Sequence, residues 1–102
     1  MLKDYNQYDY DLLLKRARIR QCLMRYEDAA LDANFAMHVQ PQRIEAYQAL
    51  AEFFIALNNY PEALKILEIL HFRDPGDQII RSQYEQIRDI ERKKLGSKTV
   101  AK

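Results

Sequence analysis

Apolar residues recur along this chain at steps of three and four, which is the spacing of one face of an α-helix. Two sets of four residues show this spacing most clearly: Leu50, Phe53, Phe54 and Leu57, then Ala63, Ile66, Leu67 and Leu70. The pattern favours helices over strands. It predicts an all-α fold with helices at about residues 9–24, 27–39, 43–57, 61–73 and 77–94.

The boundaries of these predicted helices have chemical causes. Pro41 and Pro75 cannot continue a helix and restrict the residue before them, so each is expected to end one. The pair Asn58 and Asn59 favours a turn between two helices. Asp77 follows a proline-glycine turn and is expected to be the N-cap of the last helix.

The chain contains one 34-residue unit twice, at residues 10–43 and 44–77, which we call unit one and unit two. Five identical pairs lie 34 positions apart: Ala17 and Ala51, Leu23 and Leu57, Tyr26 and Tyr60, Ala29 and Ala63, and Pro41 and Pro75. Self-similarity at this period predicts a helical solenoid. We expect an N-terminal extension over 1–9, the two units, a capping helix over 78–95 and a flexible tail over 96–102.

Unit two carries a known spacing of residue types. It runs Tyr47-x-x-Leu50-Ala51-x-x-Phe54, and Ala63, Leu67 and Pro75 follow. This order resembles the signature of the tetratricopeptide repeat (TPR) family. The resemblance covers about residues 10–94 and implies an αα-solenoid of about five helices: two repeats and a cap.

Unit one departs from the family pattern at two positions. Arg16 and Arg20 stand where the family usually has a leucine and an aromatic residue. A buried arginine without a partner is costly, so we expect Arg20 to extend outward or to pair with Asp28 or Asp32. Alternatively, this N-terminal edge of the stack faces a missing repeat, another subunit or a partner chain.

The composition narrows the class of protein. Sixteen Lys and Arg residues balance fifteen Asp and Glu residues, which argues against affinity driven by a nucleic-acid backbone or an anionic membrane. Cys22 is the only cysteine, so no internal disulfide forms. The first residues do not resemble a signal peptide, and no apolar run is long enough to span a membrane. We expect a soluble cytoplasmic protein, with the nucleus as an alternative.

Signatures of catalysis and of cofactor binding are not found. The two glycines do not form a phosphate-binding loop, and neither His38 nor His71 has a second histidine at the spacing of a metal site. We therefore predict a protein that is not an enzyme and that has no cofactor and no metal.

The TPR resemblance implies a concave groove, lined by the first helix of each unit, that holds a peptide segment of a partner protein. Projected onto this sequence, the groove residues are Leu14, Lys15, Arg18 and Gln21, then Gln48, Ala49, Glu52 and Ile55, and from the cap Gln83 and Gln86, with Ile79 beside them. The resemblance implies an adaptor, of the kind found in co-chaperone and assembly complexes.

The carboxylate clamp that co-chaperone repeats use on acidic chaperone tails is not matched. Lys15 stands at an asparagine position of the clamp, and Glu45 and Ala49 stand where the next unit should carry a lysine and an arginine. We do not expect binding to a chaperone tail.

Two other functions remain as alternatives. The chain could complete its solenoid by homodimerisation through its N-terminal edge, beside Leu2, Tyr5, Tyr8 and Tyr10. A weaker alternative is RNA binding by the basic cluster of Lys15, Arg16, Arg18, Arg20 and Arg25. Acidic residues follow this cluster immediately, so a salt-bridged helix is the favoured interpretation.

Overall fold

The computed structural model describes residues 9–100, with side chains for residues 9–94. The described chain folds into five helices: α1 Tyr10–Cys22, α2 Tyr26–Val39, α3 Glu45–Ala56, α4 Tyr60–Arg73 and α5 Gln78–Val100. Each helix packs against the next one in the chain, and the described residues contain no strand. The prediction of an all-α fold of five consecutive helices is confirmed. Leu2, Tyr5 and Tyr8 of the predicted extension lie outside the described residues.

The last helix is longer than predicted. It ends at Val100, whereas the sequence predicted an end near residue 94 and a tail from residue 96. The tail prediction is therefore wrong for residues 96–100, and residues 101–102 lie outside the description. A single glycine such as Gly96 costs a helix only about 1 kcal/mol, which does not suffice to end it.

The turn inside each unit has the same backbone geometry. Met24 and Asn58, 34 residues apart, both adopt the left-handed conformation, with φ of 62° and 59°. The amide of the following residue then bonds back over the helix end, from Arg25 to the Arg20 carbonyl and from Asn59 to the Phe54 carbonyl, both at 2.8 Å. These are Schellman motifs. The 34-residue period of the sequence is therefore also present in the backbone.

The helices of the groove start with three different caps. The side chain of Asp9 caps α1, and the Asp77 carboxylate accepts hydrogen bonds from the amides of Ile79 and Ile80 at 2.9 and 3.2 Å. The predicted cap at Asp77 is confirmed. Helix α3 has no side-chain cap of its own. Its Ala46 amide donates instead to the hydroxyl of Tyr10 in unit one, at 2.8 Å. Burial raises the pKa of that hydroxyl.

The core lies between the helices of successive layers. Its largest fully buried side chains are Tyr10, Leu50, Phe53, Leu67 and Leu70. The four alanines that the repeat places in pairs, Ala17, Ala29, Ala51 and Ala63, are also buried. Small side chains there allow the helices to approach closely, so the predicted alanine positions act as packing contacts.

Arg73, the last residue of α4, ties unit two to the loop between the units. Its guanidinium donates to the carbonyls of Pro41 and Gln42, at 2.6 and 3.0 Å, and lies over the Tyr47 ring. The Tyr47 hydroxyl donates to the same Pro41 carbonyl, at 3.1 Å. These contacts fix α3 and α4 against the loop that follows α2.

Candidate functional site

Side chains of α3, α4 and α5 line an open cavity of about 270 Å³ on the side of the stack where the groove was predicted. Three polar side chains that the sequence assigned to the groove, Gln48, Glu52 and Gln83, line it together. Its remaining lining comes from Ala51, Leu70, Asp77, Ile79 and Ile80. Because Leu70 and Ile80 are buried and Ile79 is 73 % exposed, the cavity has an apolar floor and an apolar lip between polar walls.

Arg18 joins the α1 wall of the groove to the α3 wall. Its guanidinium donates to the carboxylate of Glu52 at 3.0 Å and to the side-chain oxygen of Gln21 at 3.0 Å. It also lies 5.8 Å from the centre of the Phe53 ring. Arg18 and Glu52 occupy the same position in the two units, 34 residues apart. The structure thus brings together three of the predicted residues across the two units.

The remaining predicted residues differ in accessibility. Lys15 and Leu14 line a depression along α1 together with Arg18. Gln86 is exposed on α5, whereas Ile55 packs partly buried against the core. The side chains of Lys15 and Gln86 are therefore accessible to a ligand, whereas those of Leu14 and Ile55 are only partly accessible.

Ala49 does not line the groove. It is 0 % exposed and belongs to the core cluster, so it has no surface for a ligand, and its assignment is corrected here. Its counterpart in unit one, Lys15, is exposed. The difference follows from position, because α3 is flanked by helices on both sides and a methyl group is too short to emerge between them.

Two acidic residues near the groove were not predicted as site residues. Asp77 lines the cavity, and Asp11 lines the depression on α1. Asp77 could have been found from its predicted role, since the N-cap of a groove helix lies at the groove's end. Asp11 bonds to Arg43 at 3.4 Å, a contact between residues 32 positions apart that no local pattern indicates.

The two unexpected arginines of unit one share one buried carboxylate. Arg16 donates two hydrogen bonds to Asp32, at 3.0 and 2.8 Å, and Arg20 donates a third at 2.8 Å. Asp32 is only 4 % exposed. Bonding to the carboxylate raises the pKa of Arg16. The predicted pairing of Arg20 is confirmed with Asp32, while Asp28 pairs with Arg25 at 3.0 Å.

Most of the basic cluster on α1 is neutralised in this way. Four of its five members form ion pairs with Asp28, Asp32 or Glu52. Lys15 forms no ion pair with any residue that the structure describes. The cluster is therefore salt-bridged, as its sequence favoured, and its five cations against three carboxylates leave two positive charges.

The two histidines contact other residues of the fold. The His38 ring bonds to the Asn34 carbonyl one turn earlier, at 2.8 Å. His71 stacks on Tyr84 across the joint between α4 and α5, with ring centres 5.9 Å apart. Within the described part of the chain, no group of three His, Cys, Asp or Glu side chains could hold a metal ion. No helix there combines the length and apolar character needed to cross a membrane.

Comparison of the sequence with protein-family models finds no match, and comparison with curated protein sequences finds none either. The resemblance to TPR proteins therefore rests on the residues of unit two and on the 34-residue period alone.

Proposed function

We propose that this chain is a TPR-like interaction module, not an enzyme, and that it holds a peptide segment of a partner protein across α1, α3 and α5. The observation that carries the proposal is the groove itself. Polar side chains of α3 and α5 line one cavity, and the bond from Arg18 to Glu52 connects α1 to the α3 wall of that cavity. Convergence of a few polar groups around an apolar floor is typical of ligand sites.

The chemistry of the walls indicates what kind of segment would fit. The carboxamides of Gln48 and Gln83 each offer donors and an acceptor, which match the amides and carbonyls of an extended peptide. The floor of Leu70 and Ile80 suits one small apolar side chain. Lys15 and Arg18 would attract an acidic residue at the α1 end of the segment. The preferred ligand is therefore a peptide of mixed character.

The bond between Arg18 and Glu52 does not block binding. Both side chains are nearly half exposed. Exposed pairs of this kind contribute only about 0–1 kcal/mol, so a ligand with matching charges can replace the bond at little cost. The pair instead keeps each charge oriented toward the groove.

The usual carboxylate clamp is not part of the proposal. The Glu45 carboxylate contacts Arg43 and the Tyr10 hydroxyl, and Ala49 is buried. Neither position can supply the positive charge that an acidic chaperone tail requires.

The test is a screen of the full-length chain against a randomised array of extended peptides, followed by titration of the captured sequences. Gln48→Ala and Gln83→Ala should each weaken the binding of a captured peptide about tenfold, which corresponds to about 1.4 kcal/mol of binding free energy. Arg18→Ala and Glu52→Ala should leave the melting temperature nearly unchanged and alter affinity only.

Arg81→Ala is the matched control. Arg81 is an exposed arginine of α5 that pairs with Glu85 and does not line the cavity. Its loss should leave peptide affinity unchanged within about twofold. Captured peptides that respond to Arg81→Ala and ignore Gln83→Ala would place binding elsewhere and contradict the groove assignment.

A further inference from the structure

The outer face of α1 carries a seam of three apolar residues and one arginine at steps of four, three and four. We call the face formed by Leu12, Arg16, Ile19 and Leu23 the N-terminal edge. This spacing is the one that packs a helix against another helix in a coiled coil. Leu12, Ile19 and Leu23 are exposed by 51, 60 and 62 %, so the described chain leaves most of the seam uncovered.

Three of the four equivalent positions in unit two are buried, and the fourth, Leu57, is half-buried. Ala46, Leu50 and Phe53, each 34 residues after a member of the seam, are exposed by 0, 1 and 0 %. The helix that packs on this side of α3 is α2, whose Ala33 and Ala36 belong to the same core clusters. The molecule thus shows which element covers these positions: a helix that presents small apolar side chains.

The charge of the N-terminal edge is positive. Arg16 and Arg20 share the single carboxylate of Asp32, and Lys15 beside them has no described acidic partner. The Asp9 carboxylate, which caps α1 next to Leu12, offsets one of these two excess charges, so one positive charge remains. The Arg16 side chain is 56 % exposed, so its guanidinium is open to a further contact. A carboxylate on the covering helix would complete the charge balance.

A second copy of this chain does not supply that charge. If the N-terminal edges of two copies packed against each other, their arginine clusters would come together and repel. The opposite end of the stack is no better. At the positions of Tyr47, Ala51 and Phe54, helix α5 carries Arg81, Glu85 and Arg88, which lack an apolar seam. Glu85 already pairs with Arg81, and Asp89 with Arg88, so these carboxylates are taken within α5.

We propose that the N-terminal edge is a docking site for an amphipathic, acidic α-helix of a different protein, with small apolar residues on its seam and a carboxylate facing Arg16 and Arg20. The N-terminal edge adjoins the groove, because Ile19 also lines the depression along α1 with Lys15 and Arg18. Leu12, Arg16 and Leu23 do not line that depression, and no step of the inference depends on peptide binding in the groove. The partner helix takes the place that α2 holds against α3.

The test uses the full-length chain and a synthetic amphipathic helix of about three heptads, with alanine and leucine on its seam and one central seam glutamate. Its binding is followed by fluorescence anisotropy and by NMR shifts of the backbone amides. We expect the shifts to concentrate on α1. Leu12→Asn with Ile19→Asn should weaken binding at least tenfold, and replacing the seam glutamate of the peptide with glutamine should weaken it several-fold.

Two controls keep the result specific. Leu31→Asn removes a similarly exposed leucine, 66 % exposed, that lines a different cavity beside Phe54 and Leu57, and it should change affinity by less than twofold. Glu52→Ala tests the groove and should also be neutral. Circular dichroism of each variant verifies that it is folded.

Three results would overturn the proposal. The first is an absence of α1 shifts at millimolar peptide, and the second is equal affinity for the glutamate and glutamine peptides at low salt. The third is a dimer of the chain alone that Leu12→Asn with Ile19→Asn dissolves, since it would assign the edge to a second copy.

Discussion

Units one and two have the same turn geometry, but charged residues join the two helices of unit one and apolar residues join those of unit two. The three positions that differ most hold Arg16, Arg20 and Asp32 in unit one and Leu50, Phe54 and Ile66 in unit two. In unit one the Asp32 carboxylate accepts hydrogen bonds from the guanidiniums of Arg16 and Arg20. In unit two they belong to the apolar core or pack against it. The turns between the helices are nevertheless alike, so the backbone tolerates both solutions.

The difference follows from what lies on the outer side of each joint. Unit two is covered by α2, so its joint excludes water and apolar packing contributes most. The joint of unit one borders the N-terminal edge, where the guanidiniums reach solvent and their desolvation cost is lower. Buried ion pairs are often no more stable than apolar residues of the same volume. The charged joint therefore keeps its guanidiniums hydrated at the open edge while still fixing α1 against α2.

The largest contrast between the units is expected at Phe53 and its counterpart Ile19. Phe53→Ala removes a ring that is 0 % exposed and should lower the free energy of unfolding by about 3–5 kcal/mol. Ile19→Ala, at 60 % exposure, should cost less than about 1 kcal/mol. Urea titrations of both variants, followed by circular dichroism, measure the difference.

Equal costs at these two positions would mean that the N-terminal edge is covered in the isolated chain. That result would also remove the basis for the docking site on α1. Measurements at several protein concentrations separate cover by a second copy from cover within one chain, because only the former depends on concentration.

A smaller effect is expected at the charged joint. Asp32→Ala leaves two guanidiniums facing each other without their carboxylate and should destabilise the chain by about 1–3 kcal/mol. The cost is below that of a fully buried pair because Arg16 is partly exposed. Differential scanning calorimetry at low and at high salt measures the cost, which added salt should reduce by screening the two arginines.

Grafting the apolar joint of unit two sharpens the same comparison. Arg16→Leu with Arg20→Phe and Asp32→Ile should restore or exceed the original melting temperature. It should also enlarge the apolar edge, so light scattering should detect association that the original chain does not show. A triple variant that is less stable than Asp32→Ala would show that the two joints are not interchangeable.

The sequence predicted what local patterns and the repeat determine. The apolar spacing, with the prolines and turn residues, located all five helices, and the cost of an unpaired buried arginine led to the contact with Asp32. Each of these follows from a residue's own chemistry, from the repeat, or from the neighbouring helix of the same unit.

What the sequence missed depends on contacts between distant parts of the chain. The burial of Ala49 arises because α3 has neighbours on both sides, which its own spacing does not show. The cap of α3 by Tyr10 joins residues 36 positions apart. The extension of α5 to Val100 reflects the weakness of one glycine as a helix breaker. Projection of a family pattern assigns faces, but the length of each side chain decides which residues reach the surface.

The smallest difference between the units lies in their matching turns. Both Met24 and Asn58 adopt positive φ, a conformation that asparagine tolerates and that costs most other residues free energy. Met24→Asn should therefore stabilise the chain by roughly 0.5–1 kcal/mol, and Asn58→Met should destabilise it by a similar amount. The Met24 side chain is 74 % exposed, so few packing contacts are lost in the exchange. Urea midpoints that move in opposite directions for the two variants would support the equivalence of the turns. If Met24→Asn destabilises the chain instead, the methionine contributes packing that its exposure does not reveal.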